Sequence, residues 1–114
     1  MYVFMLLISI FSFGFVIAQS PTVTTDKADY YPGDYVIITG TGWEPGESVK
    51  LEIQPILFND GITTLIAIAD ESGNIRNEEF LILPIHLGES FLLTAISESG
   101  AMAFADFTDS PRLG

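Results

Sequence analysis

An all-β, Ig-like antiparallel β-sandwich of seven to eight short strands is the fold this sequence predicts, and three observations predict it. Turn signals recur about every 8–12 residues from Pro32-Gly33 to Ser99-Gly100. The runs between them either alternate apolar and polar residues or are short and apolar throughout. No stretch after residue 18 keeps the 3.6-residue period of an amphipathic helix.

Thr22 to Thr25 is rich in β-favouring residues and suits an edge strand. Asp26 to Gly33 is the first connection, closed by Pro32-Gly33, where Pro supplies the φ near −65° of a turn and Gly the positive φ that follows. Tyr35 to Thr39 is apolar on both faces and reads as a central strand. Gly40 and Gly42 interrupt it, which predicts a bulge or a close backbone approach. After a second Pro-Gly turn at Pro45-Gly46, Ser48 to Gln54 alternates most clearly: Val49, Leu51 and Ile53 face the core, and Lys50, Glu52 and Gln54 face water. Pro55 belongs at a strand end, because it has no N–H for a ladder.

Asn59-Asp60-Gly61 is a hairpin signal between Ile56-Leu57-Phe58 and the run Ile62 to Ala69. Glu71-Ser72-Gly73-Asn74 is a turn into the run Ile75 to Leu83, which Pro84 closes. Phe91 to Ser97 follows, then the Ser99-Gly100 turn and a last strand, Met102 to Thr108, with Ala103, Ala105 and Phe107 on one face. Tyr30 and Tyr31 divide in an extended chain, one ring inward and one outward.

The domain so described spans residues 19–110, with 1–18 before it and a short tail, 111–114, after it. Residues 1–18 read as an export signal: an apolar run with small residues near Ala18, where cleavage is expected. The competing reading is an uncleaved membrane anchor, since about 18 apolar residues approach the minimum for a span. Either way the expected location is secreted or cell-surface, with a membrane partner only if the segment is retained.

Composition narrows the function classes. With fifteen acidic residues against four basic ones, the net charge is −11. Such a surface repels phosphate backbones and anionic bilayers, so nucleic acid is not an expected partner. There is no cysteine, hence no disulfide and no thiol nucleophile, and the fold must hold by core burial alone.

Candidate chemistry is sparse. The single histidine, His86, lies between Ile85 and Leu87 in a loop context with no serine-nucleophile motif. One His and no Cys do not make a tetrahedral metal set, so no catalytic residue and no cofactor is predicted. Calcium is the cation for which the sequence offers ligands, through Asp70, Ser72 and Asn74 beside Gly73. The EF-hand spacing is absent, and a plain β-turn accounts for the same residues. Asp26, Asp29, Asp34, Glu44 and Glu47 make a second acidic group, read as a solvated loop rim. Trp43, between Gly42 and Pro45-Gly46, is expected to plug one end of the core.

The stretch Asp26-Lys27-Ala28-Asp29-Tyr30-Tyr31-Pro32-Gly33-Asp34 resembles the D-K-x-x-Y-x-P-G-[DE] opening of Ig-like β-sandwich repeats in prokaryotic surface and secreted proteins. More distantly, it is similar to the macroglobulin-type β-sandwich domain. The likeness continues at Gly40-Thr41-Gly42-Trp43, at Pro45-Gly46-Glu47, at Gly73-Asn74 and at Phe107-Thr108-Asp109. Ile75 stands where those repeats commonly carry an aromatic. The resemblance implies a non-catalytic spacer or adhesion-type module, with a protein or carbohydrate partner at the cell surface. The alternative is a small exported calcium- or ligand-binding protein that uses its acidic loops.

Overall fold

The computed structural model describes residues 20–57, 61–86 and 88–110. The expected signal segment and the tail 111–114 lie outside them, as do Phe58, Asn59 and Asp60 of the expected hairpin. Among the described residues eight strands form two sheets: β1 (Thr22–Thr25), β2 (Asp29–Tyr30), β3 (Tyr35–Thr41), β4 (Ser48–Pro55), β5 (Thr63–Ile68), β6 (Ile75–Leu81), β7 (Ser90–Ser97) and β8 (Met102–Asp109). A three-stranded sheet has the order β1-β3-β6, and a five-stranded sheet the order β2-β8-β7-β4-β5. The protein is an all-β sandwich.

Each sheet turns its apolar positions inward. Val36, Ile38 and Ile75 of the smaller sheet meet Val49, Leu51, Ile53, Leu93 and Ala95 of the larger one in a single buried cluster. At the end where β8 finishes, four rings close the core. Phe91 stacks on Phe107 with centroids 5.0 Å apart, and Tyr30 and Phe80 meet Phe107 edge-on at 5.5 and 6.1 Å. Tyr30 is fully buried and Tyr31 exposed, as an extended chain requires.

The structure corrects the sequence reading in four places. Asp29–Tyr30 is a strand rather than connection, and it runs parallel to β8, so the larger sheet is not wholly antiparallel. Two residues are too few to give a periodic signal. The irregularity of β3 falls between Val36 and Ile38, not at its glycines; Gly40 and Gly42 serve the other expected purpose, close backbone approach. β3 is also less buried on its outer side than a run apolar on both faces predicts, since Tyr35 is exposed and Ile37 only half-buried. Finally, Ile56 and Leu57 are exposed loop, and the hairpin joins β4 directly to β5 through the register Ile53↔Thr63.

Candidate functional site

The acidic group does not form one rim. β3 runs from the Asp34 end of the sandwich to the Glu44 end, so Asp26, Asp29 and Asp34 are separated from Glu44 and Glu47 by the length of a strand. Most of these side chains hold backbone. Asp26 Oδ1 accepts the Ile37 N–H at 3.0 Å and the Tyr30 hydroxyl at 2.5 Å. Asp34 Oδ2 accepts the Tyr31 N–H at 2.9 Å and lies 3.6 Å from Lys27 Nζ. Asp29 Oδ1 accepts the Thr108 hydroxyl at 2.7 Å, fastening β2 to β8. At the far end Glu47 Oε2 accepts the Ser99 N–H and Glu98 Oε1 the Ser48 N–H, both at 3.0 Å. Solvation is therefore not the whole account of these acids: they satisfy donors in loops, at a strand end and at the irregularity of β3. Glu44 is exposed.

Electrostatics follow from that bonding. Burial pushes the Asp26 carboxyl up, but the hydrogen bonds from Tyr30 and Ile37 outweigh it and hold Asp26 below the usual aspartate range. The Thr108 hydroxyl, followed by Ser110, lowers Asp29 in the same way. Tyr30 is pushed up to about 12, first by burial and then by its bond to the Asp26 carboxylate.

The calcium candidates form a closed turn. Asp70 Oδ1 accepts the N–H groups of Ser72 and Asn74, each at 2.9 Å, and the Gly73 N–H bonds the Asp70 carbonyl at 3.0 Å. Gly73 takes φ +80°, and a Cβ there would collide with the Trp43 carbonyl oxygen. Asp70 and Asn74 also line a hollow of about 530 Å³, together with Thr39, Thr41, Ile68 and Arg76. Among the described residues no three His, Asp or Glu side chains converge as a metal site.

Trp43 is buried in the core cluster, and its Nε1–H bonds the Thr22 carbonyl at 3.0 Å. His86 ends a short 3₁₀ turn, Pro84–His86, between β6 and β7. Four inward-facing polar residues escaped the sequence reading: Asn77, Glu89, Ser97 and Asp109, all buried. Asn77 Nδ2 reaches the Ile66 carbonyl at 3.3 Å, joining β6 to the edge of β5. Glu89 and Asp109 face each other just past the β7–β8 ladder, where the Asp109 N–H bonds the Glu89 carbonyl at 2.9 Å. Period two was the available signal, since Asp109 continues the inward series Ala103, Ala105, Phe107 and Glu89 precedes Phe91 and Leu93 on the same side.

Fold and geometry together define a small β-sandwich in which Asp26, Asp29, Asp34, Glu47, Asp70 and Glu98 fasten its own loops and strand ends. Among solved structures, macromomycin superposes with a TM-score of 0.60 at 20% identity, over 80% of this chain and 100% of that one. A superoxide reductase (neelaredoxin) from Ignicoccus hospitalis superposes at 0.52 with 6% identity, over 82% of this chain and 81% of the other. At these identities the likeness is one of fold. No family model and no curated protein sequence matches the chain.

Proposed function

We propose that this chain is a non-catalytic structural or binding module of an exported or cell-surface protein, of the repeat type that its Asp26–Asp34 opening resembles. The observation that carries the reading is where the carboxylates go. Asp26, Asp34, Glu47, Asp70 and Glu98 each accept backbone N–H groups. That is the pattern of a scaffold that braces its loops without disulfides. Protease treatment of intact cells, followed by mass spectrometry, tests it. Domain peptides released from the outside, with an N-terminus at Gln19, are expected; recovery from the cytosol alone, with Met1 retained, overturns it.

A second reading, calcium or ligand binding at the acidic loops, is favoured by one observation: Asp70 and Asn74 border the hollow. A ligand that binds only the folded state raises the melting temperature. A rise in millimolar Ca²⁺ that disappears in Asp70→Ala supports this reading, and an unchanged melt removes it.

A further inference from the structure

The two outer faces of the sandwich are finished differently. On the three-stranded sheet the outward positions where β1 meets β3 are threonines bonded to each other, Thr22 to Thr41 at 2.9 Å and Thr24 to Thr39 at 3.2 Å, with Tyr35 and Ile37 further along β3. Arg76 and Glu78 pair beside them. That part of the face is made for water. On the five-stranded sheet the outward positions of β5, β7 and β8 carry large apolar side chains interspersed with Thr64, Thr94 and Asp106. Ile66, Ile68, Met102 and Phe104 are 50, 61, 48 and 60% exposed, and Leu92 and Ile96 of β7 share the face. No described strand lies over them. Six large apolar side chains sharing one outer face of a small domain mark a contact surface.

Its charges indicate the occupant. The chain carries −11, so two copies repel one another over most of their surface. In the middle of the apolar face, however, sit one cation and one anion, Lys50 and Glu52, 3.4 Å apart on β4. We propose that this face is the contact surface of a homodimer, in which Lys50 of each copy opposes Glu52 of the other. The strand registers supply the geometry. Lys50 is level with Ile66, Ile96 and Met102, and Glu52 is level with Thr64, Thr94 and Phe104. A twofold axis lying across the strands at the level of Leu51 exchanges the two rows. It sets Lys50 over Glu52 of the second copy and Met102 over that copy's Phe104, a sulfur–aromatic pairing. The two ion pairs fix register and exclude other registers, while the Met102–Phe104 pairs supply attraction and Ile66 and Ile96 pack on Thr64 and Thr94 of the second copy.

Four strands at about 4.8 Å spacing and some six residues at about 3.3 Å make a patch of roughly 20 Å by 20 Å. That is about 400 Å² per copy, below the area of a standard interface, so a weak, transient dimer is expected.

Sedimentation velocity of the exported protein, from low to high micromolar concentration, tests the proposal together with the variants Lys50→Glu and Glu52→Lys. Wild type should double its mass as concentration rises. Each variant places like charges opposite one another and should stay monomeric at every concentration. Their equimolar mixture should recover a dimer containing one copy of each, which misfolded variants would not do. A monomeric wild type overturns the proposal, including one that binds neutral lipid vesicles through this face instead. So do single variants that dimerise like wild type, and a mixture that stays monomeric.

Discussion

The Tyr30 hydroxyl donates to Asp26 Oδ1 at 2.5 Å while accepting the Lys27 N–H at 3.0 Å, and the same carboxylate oxygen takes the Ile37 N–H at 3.0 Å. One buried phenol and one carboxylate thus join the first connection to β3, with the Tyr30 ring packed on Phe107 of β8. Tyr30→Phe keeps the ring and strands the carboxylate bond. A loss of about 1.5–3 kcal/mol is expected, as for hydrogen bonds to charged groups. Urea denaturation measures it; an unchanged midpoint would show that the bond contributes nothing.

The same pair sets a pH dependence at both ends. Asp26 and Asp29 are held below the usual value of 3.8, so their contribution is present above that pH and is lost as pH falls through their lower folded values. Tyr30 is raised from 10.0 to about 12, so its contribution is complete below pH 10 and is lost as pH rises towards 12. Melting temperature should therefore fall on both sides. Asp26→Asn should flatten the acid limb, and Tyr30→Phe should remove a late step from the tyrosinate absorbance titration.

Trp43 packs with the core and bonds the Thr22 carbonyl. Trp43→Ala leaves a void and an unpartnered carbonyl, with an expected cost of about 3–5 kcal/mol. Wild-type fluorescence, which reports this sole tryptophan, should be blue-shifted and poorly quenched by iodide. Strong quenching, or a melting temperature unchanged in Trp43→Ala, would place the ring at the surface.

Gly40 and Gly100 separate crowding from conformational strain. A Cβ at Gly40 meets the Thr22 carbonyl oxygen, with Ile75 Cγ1 and Trp43 Nε1 each at 2.9 Å. At Gly100 nothing stands within 4 Å, but φ is +95°. Gly40→Ala should cost about 3 kcal/mol, and Gly100→Ala about 1 kcal/mol. Equal losses in thermal melts would contradict the close approach at Gly40.

Asp70 offers a contrast of charge against acceptor. Asp70→Asn keeps an oxygen for the Ser72 and Asn74 N–H groups, whereas Asp70→Ala removes it. The first should be near neutral and the second should cost about 1–2 kcal/mol. A loss as large in Asp70→Asn would show that the negative charge, not the turn, is what the site requires.

Local chemistry explains what was legible. Ser48 to Gln54 declared its inner and outer faces because side chains alternate along a strand, and β4 keeps that alternation throughout. Asp70 to Asn74 declared a turn because Asp, Gly and Asn reach the required backbone angles at little cost. Asp29–Tyr30 was illegible as a strand, since its pairing depends on Thr108 and Asp109 far along the chain. The jobs of Asp26 and Glu47 were hidden for the same reason: Ile37 and Ser99 come within reach only once the sheets have formed.

By itself the sequence determined the all-β class, most of the strands, the turns between them and the core positions of Val49, Leu51, Ile53 and Trp43, because these follow from periods and backbone preferences within a few residues. Only the tertiary structure decided that β2 pairs in parallel with β8, that Glu89 and Asp109 come face to face in the interior, and that Ile66, Ile96, Met102 and Phe104 share one outer surface around Lys50 and Glu52. Each of those depends on cross-strand register. A slip of one residue sends every side chain of a strand to the opposite face, so register is settled by the packing of all eight strands together.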